Sequence, residues 1–259
     1  MPIPVVAAWF AFAMAPPASA IGFTVSPAIV DAEIRPGSSP TVDLRVTNDS
    51  AFPLQVSATV HDLEVREGGN LYHPPGTLER TAAVWSSVRP DSRVVPAEAT
   101  AVIYLHLSPP PAATGTYTGA VFIEGGTGDP PPGSMATVLR GRIVVPLLLR
   151  IAGTGTEALS IEEVHLDPPT PSEPLRIRAG VRNDGDVHVM ASVAALVMDT
   201  EGEVRGRFAG DPVRAMPGQR RALEARWGGL LASGTYDVLV TVSYGSGQAM
   251  TTTQRLTIP

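Results

Sequence analysis

The sequence predicts an all-β protein built from two tandem β-sandwiches that follow an N-terminal export signal. Three observations lead to this prediction. The 25 glycines and 26 prolines are dispersed along 259 residues, apolar and polar residues alternate in many short segments, and the same order of segments occurs twice. Dispersed Gly and Pro are typical of tight turns between short strands. Beyond the N-terminus, no long segment has the apolar spacing of an amphipathic helix.

The first element, MPIPVVAAWFAFAMAPPASA at 1–20, has the pattern of a signal peptide. An apolar stretch from Val5 to Ala15 precedes a small-x-small sequence, which is typical of a signal-peptidase site. We expect cleavage after Ala20; a retained anchor helix is the alternative, because the segment carries no basic residue. No Cys follows the site, so a lipoprotein is excluded. The mature chain is therefore expected in the periplasm or cell envelope of a bacterium, without a transmembrane anchor.

Composition limits both the fold and the partners. The chain has no cysteine, so each exported domain must be stabilised by burial alone, which takes roughly 100 residues or more. We expect an N-terminal domain at 21–152 and a C-terminal domain at 153–259. All 19 basic residues are dispersed arginines and the net charge is −6, which disfavours nucleic acid as a partner.

The predicted strands follow the same order in both halves. The first half has strands near 22–34, 41–48, 54–65, 81–89, 98–108, 116–124 and 135–151, and the second near 157–166, 174–183, 187–198, 203–209, 219–227, 234–244 and 248–258. In TVDLRVTN, for example, Val42, Leu44 and Val46 share one face, as in a half-buried antiparallel strand. About seven short strands per half predict immunoglobulin-like sandwiches.

The halves also share sequence detail, which indicates duplication. NDSAFPLQVSATVHDLEV at 48–65 corresponds to NDGDVHVMASVAALVMD at 183–199, and Gly-Thr-Tyr opens a late strand in each half. Tyr117 and Tyr236 lie where such sandwiches place a tyrosine corner; a simply half-buried ring is the alternative. The Trp residues at 85 and 227 are expected to anchor the core or its rim.

Two connections are rich in glycine. The segment AGTGTE at 152–157 is expected to form a hinge between the halves. The loop EGGTGDPPPGS at 124–134, between the last two strands of the first half, is expected to be mobile.

The sequence contains no recognisable catalytic or cofactor motif. The five histidines are scattered, and His61 beside Asp62 and Glu64 is only a weak metal candidate against a solvated strand edge. NDGD at 183–186 resembles the start of a calcium loop but lacks the distal Glu, so a tight turn is the preferred interpretation. We therefore expect a protein that is not an enzyme and needs no cofactor or metal.

The segment MATVLRGRIVVPLLLRIAG at 135–153 has a core, Ile143 to Leu149, that is apolar at every position. Three arginines and Pro146 interrupt it, so it is too short and too polar to span a membrane. Read as a strand, it places Leu139, Ile143, Val145, Leu147 and Leu149 on a face that should bury in the first core, and Val144, Pro146 and Leu148 on the other. Either the second domain or a partner must cover this second face.

This layout resembles the PapD-like periplasmic chaperones. VDLRVTND at 42–49 is similar to the second strand and Asn turn of that family, and MATVLRGRIVVPLLLR at 135–150 to its G1 strand. The resemblance implies that this strand completes the open fold of a fibre subunit by strand addition. The implied partner-binding residues are Leu139, Ile143, Val144, Val145, Leu147 and Leu148.

The same resemblance implies a grip on the subunit's C-terminal carboxylate by a pair of basic residues. The matching positions, near Ala32 and Pro146, are not basic. Arg142 and Arg150, or less directly Arg35, are candidate replacements.

A second resemblance competes with the first. AVWSSVRPDSRVVPAEATAVIYLHLSPPPAATGTYTGAVFIE at 83–124 is similar to the peptidoglycan-binding domain of WxL-interacting surface proteins. Two functions follow. The preferred one is a periplasmic chaperone or accessory factor that assembles a surface fibre, with a protein partner. The alternative is an envelope-binding module that recognises peptidoglycan or a surface protein.

Overall fold

The computed structural model describes residues 21–66, 68–127, 139–170 and 172–259, which form two β-sandwiches. The predicted signal peptide and most of the loop at 124–134 lie outside the described residues. The strands of the first sandwich are β1 (Phe23–Ser26), β2 (Val30–Ile34), β3 (Thr41–Asn48), β4 (Leu54–Arg66), β5 (Gly69–His73), β6 (Ser86–Arg89), β7 (Ser92–Val95), β8 (Thr100–Leu107), β9 (Thr116–Gly126) and β10 (Arg140–Ile151). Those of the second are β11 (Leu159–Asp167), β12 (Leu175–Asn183), β13 (Val189–Met198), β14 (Val204–Ala209), β15 (Val213–Ala215), β16 (Arg220–Trp227), β17 (Gly234–Tyr244) and β18 (Gln248–Ile258).

Each sandwich consists of two sheets. In the first, the strand orders are β1-β3-β8-β6 and β2-β10-β9-β4-β5, with β7 also paired to β4. In the second, they are β11-β12-β16 and β14-β13-β17-β18, with β15 also paired to β13. All pairs between these strands are antiparallel except β2 with β10, which is parallel. The predicted all-β fold of two immunoglobulin-like sandwiches is confirmed.

The alternating pattern of the strands builds the two cores. In β3, Leu44 and Val46 are fully buried while Val42 is partly buried, as their shared face predicts. In β17, Val238, Val240 and Val242 are fully buried in the second core. The interior of each sandwich is therefore built from aliphatic side chains of both sheets, without any disulfide.

Several predicted strands differ from the structure. The strand expected at 22–34 is split into β1 and β2, which lie in different sheets; Pro27 between them cannot donate to a ladder. The strand expected at 81–89 begins as a 3₁₀ helix at Ala83–Trp85, since the hydroxyl of Thr81 accepts the Ala83 N–H and holds the turn. The short strands β5, β7 and β15 were not predicted.

A buried asparagine closes the same turn in both sandwiches. Asn48 donates from Nδ2 to the carbonyls of residues 52, 95 and 96 at 2.8–3.1 Å, and its Oδ1 accepts the Ser50 N–H. Asn183 donates to the carbonyls of residues 187 and 215, and its Oδ1 accepts the Gly185 N–H. The NDGD segment is thus a tight turn, and the correspondence between the halves extends to single hydrogen bonds.

The aromatic expectations are met in part. The Tyr236 hydroxyl donates to the Ala232 carbonyl at 2.9 Å, which is a tyrosine corner. Tyr117 instead packs edge-on against Trp85, with the guanidinium of Arg80 over its ring. Trp85 and Trp227 pack against the first and second cores.

The glycine-rich linker between the sandwiches is held by contacts on both sides. The hydroxyl of Thr154 accepts the Gly115 N–H and donates to the Ile151 carbonyl. The carboxylate of Asp186, in the second sandwich, accepts the Thr156 N–H. These bonds restrain the segment that the sequence predicts as a hinge.

Candidate functional site

The tenth strand has one edge that is only half covered. Along its full length β10 pairs with β9, from Arg140 opposite Gly126 to Arg150 opposite Thr116. On its other edge β2 pairs only with Leu147–Ile151. Among the described residues, no strand pairs with this edge between Gly141 and Pro146. We call this stretch the open edge.

The register shows which backbone groups face the open edge. The Leu139 carbonyl accepts the Thr127 N–H and the Ile151 N–H donates to the Gly115 carbonyl, so odd-numbered residues bond toward β9. The Ala152 N–H donates to Ile34 of β2, on the opposite side. Because the register has no bulge, the backbone groups of Arg142, Val144 and Pro146 face the open edge.

This alternation explains why a proline is tolerated inside β10. Proline lacks an N–H and is found in sheets where that group would face outward. Pro146 lies opposite Ala120 of β9, and its nitrogen faces the open edge, so the β9–β10 ladder loses no bond. The open edge ends at Pro146, and the pairing of β10 with β2 begins at the next residue.

The face predicted to bury in the first core does so only in part. Val145, Leu147 and Leu149 are fully buried there, as expected. Ile143 is only partly buried, and Leu139 is 43% exposed. The expected burial of Leu139 is therefore wrong, because it precedes the part of β10 that the opposite sheet covers.

The opposite face is covered by the second sandwich at one end. Leu148 is 4% exposed and packs in a small cluster with Leu63 of β4 and Met216 of the second sandwich. Val144 is partly buried and packs against the same cluster, beside Phe122. The second sandwich therefore covers Leu148 on this face of β10. Val144 lies at the edge of the covered area.

The two predicted carboxylate contacts are both engaged with glutamates. Arg142 binds Glu124 on the outer face of the sheet, 4.8 Å from the centre of the Phe122 ring. Arg150 donates to Glu157 at 2.8 Å beside the linker. Glu157 also accepts the backbone N–H of Ser246, and these hydrogen bonds lower the pKa of its carboxyl. Neither arginine lies in the cleft described next.

A cleft between the sandwiches begins where the open edge ends. Pro146 and Leu148 form one wall, and Arg214, Gln219 and Arg221 of the second sandwich form the other. The Arg214 guanidinium binds Asp31 of β2. Within the described residues, the side chain of Arg221 makes no ion pair or hydrogen bond. The cleft therefore presents an arginine whose charge is not neutralised.

A polar cluster fixes the two sandwiches beside this cleft. The Thr116 N–H donates to the Asp186 carbonyl at 2.9 Å, and the His188 N–H donates to the Thr116 hydroxyl at 2.9 Å. The His188 ring lies 3.4 Å from Asp31, yet burial lowers the pKa of His188 and Asp31 only opposes that shift. Burial therefore favours the neutral form of this histidine, which is a structural group between the sandwiches.

The sequence could not have placed Met216 or Arg221 at this site. Both lie in the second half, and their positions depend on how the sandwiches dock, which has no local sequence pattern. Their one signal is the Pro turn around Pro217, which matches Pro96 of the first half.

Other kinds of site are not found in the described part of the chain. No group of three metal-ligating side chains comes together there; His61 instead stacks on Phe122, with ring centres 4.1 Å apart. No helix among those residues is long and apolar enough to cross a membrane.

Comparisons with known proteins support the fold. No family model and no curated protein matches the sequence. A solved structure of a chaperone–tip adhesin complex from CFA/I fimbriae biogenesis aligns with a TM-score of 0.50 and 11% identity, over 90% of this chain and 98% of its own. The chain shares the fold of the protein matched in that complex.

Two further structures align with this chain at lower similarity. The class 5 fimbriae chaperone CfaA is 12% identical, with a TM-score of 0.46, over 92% of this chain and all of its own. The complex of the Salmonella enterica SafA pilin with the SafB chaperone is 14% identical, with a TM-score of 0.43, over 94% and 99%.

Proposed function

We propose that this protein is a periplasmic chaperone for surface-fibre subunits, which it binds by β-strand addition at the open edge of β10. The observation that carries the proposal is the edge of β10 between Gly141 and Pro146, with which no strand in the described part of the chain pairs. An exposed edge with free N–H and C=O groups is a template for another strand. The PapD-like fold agrees with this role.

The open edge offers both affinity and specificity. The backbone groups of Arg142 and Val144 supply hydrogen bonds to an added strand. Leu139 and Ile143, which the first core leaves partly exposed, supply alternate apolar side chains. Val145, Leu147 and Leu148, also predicted to bind the partner, are buried within this protein.

The cleft supplies a charge at the end of the open edge. A strand added beside β10 in the same direction brings its C-terminus to Pro146, where the cleft begins. We assign the carboxylate contact to Arg221 in place of Arg142 and Arg150, since those two already bind glutamates. Guanidinium groups favour bidentate contacts with carboxylates.

The test is co-purification of this protein with fibre subunits of the same organism, each co-expressed with it in turn. Ile143→Asp places a charge on the partner-binding face and should abolish the complex. Ile143→Val keeps an apolar side chain and is the matched control, which should retain it. Unfolding in urea shows whether both variants remain folded.

Two results would count against the proposal. One is a folded Ile143→Asp variant that still binds its subunit as the wild type does. The other is a wild-type protein that binds no subunit but sediments with purified peptidoglycan, which would favour an envelope-binding module.

A further inference from the structure

The row of apolar side chains beside the open edge has a gap at its centre. Leu139 and Ile143 point to the same face of β10, and Gly141 between them has no side chain. Gly141 lies directly opposite Gly125 of β9. A pair of facing glycines leaves a patch of bare backbone in the sheet, where side chains would normally pack.

An aromatic ring from the other sheet covers this patch. A Cβ atom built on Gly125 would lie 2.9 Å from Cε1 of Phe23, and one built on Gly141 would lie 3.2 Å from the same atom. Phe23 belongs to β1, which pairs with β3 and not with β10. The ring therefore occupies the space that side chains at both glycines would take, as aromatic residues do over glycines in other sheets.

Phe23 is only partly buried against the first core. Its ring thus lies between the positions of Leu139 and Ile143, where an added strand would bring side chains of the partner. From this we infer that Phe23 is a partner-binding residue: it supplies, from a different strand, the central apolar contact that β10 lacks at Gly141. This inference rests on the proposed strand addition at β10.

The arrangement has a consequence for recognition. An aromatic ring has two side-chain torsions and a large apolar surface, so it gains contact area at low entropic cost. A subunit that fits this row meets aliphatic, aromatic and aliphatic groups in turn. The middle contact comes from β1, so the binding face depends on both sheets of the first sandwich.

The experiment measures binding of the fibre subunit that co-purifies with the wild-type protein. Phe23→Ala should weaken binding about tenfold or more, as expected for a central aromatic contact. Adding Gly141→Val to Phe23→Ala places an aliphatic group on β10 in the vacated space and should restore most of the binding. Phe52→Ala is the control, because Phe52 is also partly buried against the first core but lies in the loop between β3 and β4.

The outcomes separate this inference from the proposed function. If Phe23→Ala binds as the wild type does while Ile143→Asp does not, strand addition stands and the role of Phe23 is overturned. If Phe52→Ala loses as much binding as Phe23→Ala, the loss reflects destabilisation and the inference also fails. Failure of the double variant to recover would show that the ring does not fill the gap at Gly141.

Discussion

At the scale of single residues, the two sandwiches are closed by the same device. Asn48 and Asn183 are completely buried amides that bridge the end of one strand to backbone carbonyls of other segments. Buried polar groups are stabilising only when they are hydrogen-bonded. Removing one of them leaves its buried partners without a hydrogen bond, which lowers the free energy of unfolding. Each asparagine therefore determines the stability of its own sandwich.

Replacing either asparagine should destabilise the protein. Asn48→Ala leaves three backbone carbonyls without the amide that they accept from, and Asn183→Ala leaves two. We expect a loss of roughly 2–4 kcal/mol in the free energy of unfolding for each, measured by urea denaturation. Asn70→Ala is the control, because Asn70 is exposed and should change this free energy by less than about 0.5 kcal/mol. Equal effects at all three positions would contradict the role of the buried amides.

At the scale of elements, β10 combines a paired edge with an open one. The orientation of its backbone alternates, so neighbouring residues in the strand have opposite roles. The N–H of Val145 points toward β9, whereas that of Val144 points to the open edge. A substitution that removes only an N–H can therefore distinguish the two edges.

Proline substitutions should affect stability at one of these positions only. Val145→Pro removes a bond of the β9–β10 ladder inside a fully buried segment, and should cost roughly 3 kcal/mol or more. Val144→Pro removes an outward N–H, as Pro146 already does, and should cost less than about 1 kcal/mol. Thermal or urea unfolding of both variants measures the difference. If Val144→Pro were as unstable as Val145→Pro, the N–H of Val144 would not face an open edge, and the assignment of that edge would be contradicted.

The alternation of apolar and polar residues predicted the faces of single strands correctly, but it did not predict which other strands pack against them. The faces of β3, β10 and β17 follow from their period of two, because that period is a local property of a strand. The exposure of Leu139 did not follow, since it depends on where the opposite sheet ends. The split of the first strand at Pro27 and the contact of Phe23 with Gly141 depend on which sheet each strand joins, which no local pattern determines.

At the scale of the whole molecule, the second sandwich does more than cover Leu148. It supplies Met216 to the small apolar cluster, Arg221 to the cleft, and the groups around His188 that fix its position. The Arg150 guanidinium and the Glu157 carboxylate form a hydrogen bond across the linker. The two sandwiches thus present one continuous surface, formed by the open edge and the cleft where that edge ends.

The proposed strand addition is tested most directly by amide hydrogen exchange in β10, free and in complex with a fibre subunit. In the free protein, the N–H groups of Ile143 and Val145 should exchange slowly and those of Arg142 and Val144 rapidly, because only the first two face β9. On binding, the Arg142 and Val144 amides should become protected while Ile143 and Val145 change little. A stable complex in which the Arg142 and Val144 amides still exchange as fast as in the free protein would contradict strand addition at the open edge.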